Sequence, residues 1–157
     1  VSARGSQSER RRGARLAAVQ ALYQMDVAGK GLVEALAEFE TFWIGKEVDG
    51  IELPPAEESL FRDILGGVVR EQVPIDRAVD KVLADGWPLK RIELVLRAIL
   101  RAGCYELMFR EDVPVRVVIN EYVEVAHLFY SEEEPRLVNG VLDAVGRLVR
   151  ATEMAPR

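Results

Sequence analysis

Arg10, Arg11, Arg12 and Arg15 fall within six positions in the stretch SERRRGARLAAVQALYQMDV, residues 8–27. Three- and four-residue spacings bring Arg11, Arg12 and Arg15 onto the first turns of one helix, with Arg10 beside them. Such a cluster neutralises phosphates and releases counterions. Cations at a helix N-terminus oppose the macrodipole, at a cost of roughly a few tenths of a kcal/mol each. An anionic ligand is the simplest compensation, and nucleic acid is the natural class; the plain alternative is a solvated helix start.

The rest of the chain carries the opposite charge. Five arginines oppose one glutamate over residues 1–15, a balance of about +4, while the whole chain has 26 Asp and Glu against 21 Lys and Arg and a net charge of −5. The remainder is therefore near −9, and the split predicts two faces for partners of opposite charge. Hydrophobic residues make up 49% of the 157, enough for one packed core. No apolar run reaches the roughly 20 residues that span a bilayer, and no apolar signal segment opens the chain. A cytoplasmic, reducing location is expected.

Bond-making chemistry finds little support. His127 is the only histidine and Cys104 the only cysteine, so no metal cluster, catalytic dyad or disulfide is expected, nor any cofactor. His127 follows a packed position of a helix and reads as a satisfied or exposed side chain. Gly66 and Gly67 lack the preceding strand of a phosphate loop and signal close helix packing.

The elements that position the arginines are helical. Leu16, Val19, Leu22 and Tyr23 recur at helical spacing, with Ser8 as the expected N-cap and Gly29 and Gly31 as the stop. Further helices are predicted over 32–43, from about Pro55, over 75–83, over 89–109, from Pro114 with Phe129 inward, and from Pro135 with Leu148 and Val149 inward. The segment 44–57 reads as a loop. The expectation is an all-α fold of about seven helices. It comprises a loose N-terminus over 1–7 and one helical domain over 8–157, with subdomains of about 8–85 and 86–151.

No later helix is basic enough to read a duplex groove. Single-stranded RNA suits a cationic strip with a few rings, for which Tyr23, Phe129 and Tyr130 are candidates, although core roles fit each as well. Glu132, Glu133 and Glu134 suit the dipole of the last helix, or a basic protein. If about four phosphates are neutralised on a single strand, the log–log salt slope is near −3.

Five ordered blocks then resemble the NusB family of bacterial transcription antitermination factors: RRGARLAAVQALYQMDV (11–27), LFRDILGGV (60–68), ILRAGCYEL (99–107), VPVRVVINEYVEVAHLF (113–129) and LVNGVLD (137–143). The resemblance covers about residues 9–150. It implies two three-helix subdomains plus one helix. It also implies binding of boxA RNA in ribosomal RNA leaders, jointly with a small-subunit ribosomal protein, NusE. Other Nus factors and RNA polymerase are engaged indirectly. The resemblance places Arg11, Arg12 and Arg15 at the RNA, with Arg10 added by position. It places Tyr23 near the ribosomal-protein interface and Glu133 where RNA and partner binding are both affected.

The departures from the family pattern are specific. Gly13 interrupts the arginine run, Leu137 replaces an aromatic residue, and Leu96 stands where an acidic partner contact is common. Asn120 and Asn139 are expected to be core hydrogen-bonding residues. The same module resembles the RNA-binding domain of some ribosomal RNA cytosine methyltransferases, and a protein-only helical adaptor is a third reading.

Overall fold

The structure, a computed structural model, describes residues 6–42, 47–48, 51–52, 57–83 and 92–154. Its helices are α1 (Gln7–Ala28), α2 (Leu32–Phe42), α3 (Glu58–Arg70), α4 (Gln72–Val82), α5 (Leu94–Phe109), α6 (Val115–Phe129), α7 (Glu133–Val149) and the single turn α8 (Ala151–Met154). Strands β1 (Glu47–Val48) and β2 (Ile51–Glu52) form an antiparallel pair with Glu47 opposite Glu52, within the segment expected as a loop. The fold is otherwise all-α, as expected. The anticipated boundary near residues 85 and 86 lies outside the described residues.

The first helix begins earlier than its apolar pattern suggests. Ser6, not Ser8, is the N-cap, and its Oγ accepts the Glu9 N–H at 3.1 Å. Residues 6 and 7 thus belong to ordered structure. At the other end Gly29 adopts φ 67°, a left-handed conformation that costs glycine little and stops the helix. Ser6→Ala is expected to cost about 1 kcal/mol through the lost cap. Thermal melting should report this as a fall of about 2–4 °C.

Around α5 the other helices pack: α1, α3, α4, α6 and α7 all contact it. Ile99, Leu100, Cys104 and Leu107 of α5 are fully or almost fully buried, joined to Ala14, Ala18 and Val19 of α1 and to Val138, Leu142 and Val145 of α7 in one continuous core. Burial and the nearby Asp76 push the Cys104 thiol pKa upward, so it stays protonated and inert. No helix among the described residues is long and apolar enough to cross a membrane.

The carbonyl end of α5 is satisfied from a distance. Arg150, buried just past α7, donates to the carbonyl oxygens of Leu107 at 2.8 Å, Glu106 at 3.0 Å and Val113 at 2.6 Å. This cation pairs the Leu107 carbonyl in the last turn of α5, adds a second donor to the Glu106 carbonyl, which also accepts the Arg110 N–H, and ties in Val113 beyond the helix. It also explains a correction. Leu148 and Val149 were expected inward but are exposed, because the last turn of α7 extends past the core and Arg150 turns inward instead. Phe129 is likewise exposed, at 40%, because the core ends near Ala126. Asn120 and Asn139 are exposed as well. They line an open groove of about 690 Å³ between α6 and α7 with Arg116 and Asp143, and so are not core residues.

Candidate nucleic-acid interface

The four arginines of α1 have four different environments. Arg15 is 2% exposed and sits in the core. Its Nε and Nη2 donate to the two carboxylate oxygens of Glu106 at 2.8 and 2.9 Å, and the Tyr122 hydroxyl donates to the same carboxylate at 2.5 Å. Burial works against the charged guanidinium, but hydrogen bonding and charge from Glu106 outweigh it and hold the pKa of Arg15 above its usual value. Burial, with Glu106 adding to it, also drives the Tyr122 hydroxyl pKa well upward, so it remains a donor. This corrects the expectation for Arg15. Its side chain ties α1 to α5 and α6 and presents nothing to a ligand.

Arg12 lies on the surface with its side chain 58% exposed, held by Glu121 of α6, whose side chain is 14% exposed. Nε and Nη2 donate to the two Glu121 oxygens at 3.0 and 3.2 Å. The hydrogen bonds that Arg12 donates to Glu121, then the charge of Glu121, raise the Arg12 pKa. The side-on grip occupies one edge of the guanidinium and leaves the Nη1 edge without a partner among the described residues. Arg11 makes a longer contact, Nε to Glu57 at 3.4 Å. Glu57, preceding α3, also donates its backbone N–H to the Arg10 carbonyl at 2.8 Å. The Arg10 side chain has no carboxylate partner among the described residues.

A patch that looks strongly basic in sequence is therefore close to neutral once folded. Arg10, Arg11 and Arg12 share their surface with Glu9, Glu57 and Glu121, two of which arrive from 46 and 109 residues away. Beside Arg12 runs a cleft of about 320 Å³ between α1 and α6, lined by Glu9, Gly13, Leu16, Glu124, Val125 and the exposed Leu128.

The residues singled out for a partner protein lie elsewhere. Tyr23 is half-buried and lines a cavity of about 280 Å³ with Val19, Gln20, Gln24, Phe39, Val95 and Phe129. Leu96 is 6% exposed and joins the core, so its side chain offers no partner surface. The turn of α5 points Leu96 inward and sets Val95 on the cavity wall instead. Glu133 is exposed in the first turn of α7. Tyr130 donates its hydroxyl to Glu93, and its ring is tilted 56° to that of Phe129 with centroids 6.5 Å apart. His127 is exposed, beside Arg136 and Asn139.

A family model described as NusB family matches residues 12–147. The chain belongs to the NusB family. It is 56% identical over 156 residues to a protein of Rhodopseudomonas palustris (strain TIE-1) named transcription antitermination protein NusB, covering 99% of this chain and 90% of that one. Among solved structures it is similar to T. maritima NusB, with TM-score 0.74 at 28% identity, covering 92% of this chain and 96% of that one. It is also similar to a chain in a crystal structure of antitermination factors NusB and NusE in complex with dsRNA, with TM-score 0.71 at 29% identity, covering 87% and 96% respectively.

In this chain the carboxylates that organise the arginines were not foreseen from sequence. Glu106 left one usable sign: it is a charge within the apolar run AGCYEL, residues 102–107, a position that demands a cation once buried. Glu57 and Glu121 left none, being ordinary glutamates at a loop end and on a helix flank. Gln20 also escaped notice. Its Oε1 is buried beside the Tyr23 cavity without a hydrogen-bond partner.

Proposed function

We propose that this chain is a non-enzymatic antitermination factor that binds boxA RNA of ribosomal RNA leaders together with the small-subunit ribosomal protein NusE, in the bacterial cytoplasm. The observation that carries the reading is its similarity, over 87% of its length, to a chain solved with NusE and RNA. The first turns of α1 supply the RNA contact through Arg10, Arg11 and Arg12, with Glu133 tuning it. Tyr23 and Val95, which line one cavity, supply the partner contact together with Glu133. Other Nus factors and RNA polymerase join through that complex. That neighbour was solved with double-stranded RNA, whereas three surface arginines on about one turn suit a single strand. A double-stranded-RNA-binding domain, by contrast, spreads its contacts over roughly 16 base pairs.

Burial of Arg15 and the pairing of Arg11 and Arg12 lower the expected salt dependence from the slope near −3 read from four phosphates. A slope between about −1 and −2 is expected, so that going from 50 to 150 mM salt weakens binding roughly 3- to 10-fold. Changing Arg10, Arg11 and Arg12 together to alanine should flatten the slope while keeping the protein folded, with a modest fall in melting temperature from the lost pairs with Glu121 and Glu57. Fluorescence anisotropy with boxA RNA, with and without the ribosomal protein, measures this. A variant slope equal to the wild-type slope rejects the placement.

A further inference from the structure

We infer that Glu121 sets the specificity of the basic helix start, turning Arg12 from a general attractor of polyanions into a directional phosphate clamp. The inference rests on the proposed RNA contact at α1 and adds to it a residue on α6.

Glu121 is well placed for this. Its side chain is 14% exposed, and the adjacent Tyr122 is fully buried and hydrogen-bonded to Glu106, which in turn holds Arg15. Arg12 and Arg15 are three apart on α1, and Glu121 and Tyr122 are neighbours on α6. Two cross-helix links, one at the surface and one in the core, therefore fix these helices in register. The Arg12 guanidinium is anchored through Nε and Nη2, so its free edge has a set direction.

The electrostatic consequence depends on distance. An unpaired arginine attracts any phosphodiester from about a Debye length away, near 10 Å at 0.1 M salt. A neutral Arg–Glu pair has only a dipolar field, which fades sooner. At contact, however, the free edge still donates charge-assisted hydrogen bonds to a phosphate that arrives in the right place. The clamp has already lost much of its rotamer freedom, which reduces the cost of ordering it on binding. Glu121 also repels any phosphate approaching from the α6 side. Arg12 therefore contributes most when neighbouring contacts lock a strand into one register, and little to unregistered RNA.

The test compares two single-stranded RNAs of equal length and composition, one carrying the recognition sequence and one scrambled, by anisotropy across 50–200 mM salt. Glu121→Gln should tighten the scrambled RNA about 5-fold and the recognition RNA less than about 2-fold, with a slope steeper by about 0.7 for each. Arg12→Lys keeps the charge and loses the fork. It should retain scrambled binding and weaken the recognition RNA about 5-fold, as expected for loss of a bidentate contact. If Glu121→Gln shifts both RNAs by one factor, or weakens both, while Arg12→Ala still weakens binding, Glu121 has no such role and the RNA site stands. If Arg12→Ala leaves both affinities unchanged, Arg12 is not at the RNA, and the inference falls with that part of the site.

Discussion

Arg15→Ala is expected to destabilise the protein by about 3–5 kcal/mol, because it leaves the Glu106 carboxylate buried without its cation. Glu106 is 0% exposed, so water cannot replace the guanidinium without opening the junction of α1, α5 and α6. The Tyr122 hydroxyl alone does not compensate a full negative charge. Urea denaturation monitored by circular dichroism measures the loss, and a variant within about 1 kcal/mol of wild type would contradict the burial argument. Replacing both members of the pair by apolar residues of similar size, Arg15→Met with Glu106→Leu, should recover much of the loss. What the double change still lacks is an acceptor for Tyr122. An RNA-binding defect in any Arg15 variant therefore reports a damaged fold, and only Arg10, Arg11 and Arg12 test the ligand surface cleanly.

Gly67→Ala is the second large effect, expected at about 3 kcal/mol, the upper end for overpacking a core. A Cβ at Gly67 would lie 2.2 Å from both Cε1 and Cζ of Tyr105. That ring has little freedom to retreat: its hydroxyl donates to Asp63 at 2.8 Å, and it stacks on Phe109 with centroids 5.6 Å apart. The neighbouring glycine provides the control. A Cβ at Gly66 meets nothing within 4 Å, so Gly66→Ala in the interior of α3 should stabilise by about 0.5–1 kcal/mol through helix propensity. Opposite signs at adjacent positions, read from thermal melts of the two variants, identify helix contact rather than a phosphate loop as the reason for the pair. Equal effects would remove that reason.

Much of the fold was legible because helices announce themselves locally. The spacing of Leu16, Val19 and Leu22, or of Val138, Val141, Leu142 and Val145, encodes a buried stripe within a dozen residues. Proline and glycine near the ends supply the boundaries to within a few positions. Errors came where local pattern and tertiary cover part company. Phe129, Leu148 and Val149 continue an apolar stripe past the point where another helix covers it. Asn120 and Asn139 sit on packed helices, yet on flanks that the α6–α7 pairing leaves open.

The candidate site divides along the same line. From the chain alone, four arginines could be assigned to the start of one helix, and the ordered blocks around them identified the family. Folding decided which of those charges remain available. It buried Arg15 against Glu106, set Glu121 on Arg12 and brought Glu57 to Arg11 from partners 46 to 109 residues distant. Charge adds along a sequence without regard to distance, whereas an ion pair forms only between groups a few ångströms apart. Those distances are fixed by how α1 packs on α3, α5 and α6, a relation between faces that no single stretch of the chain contains.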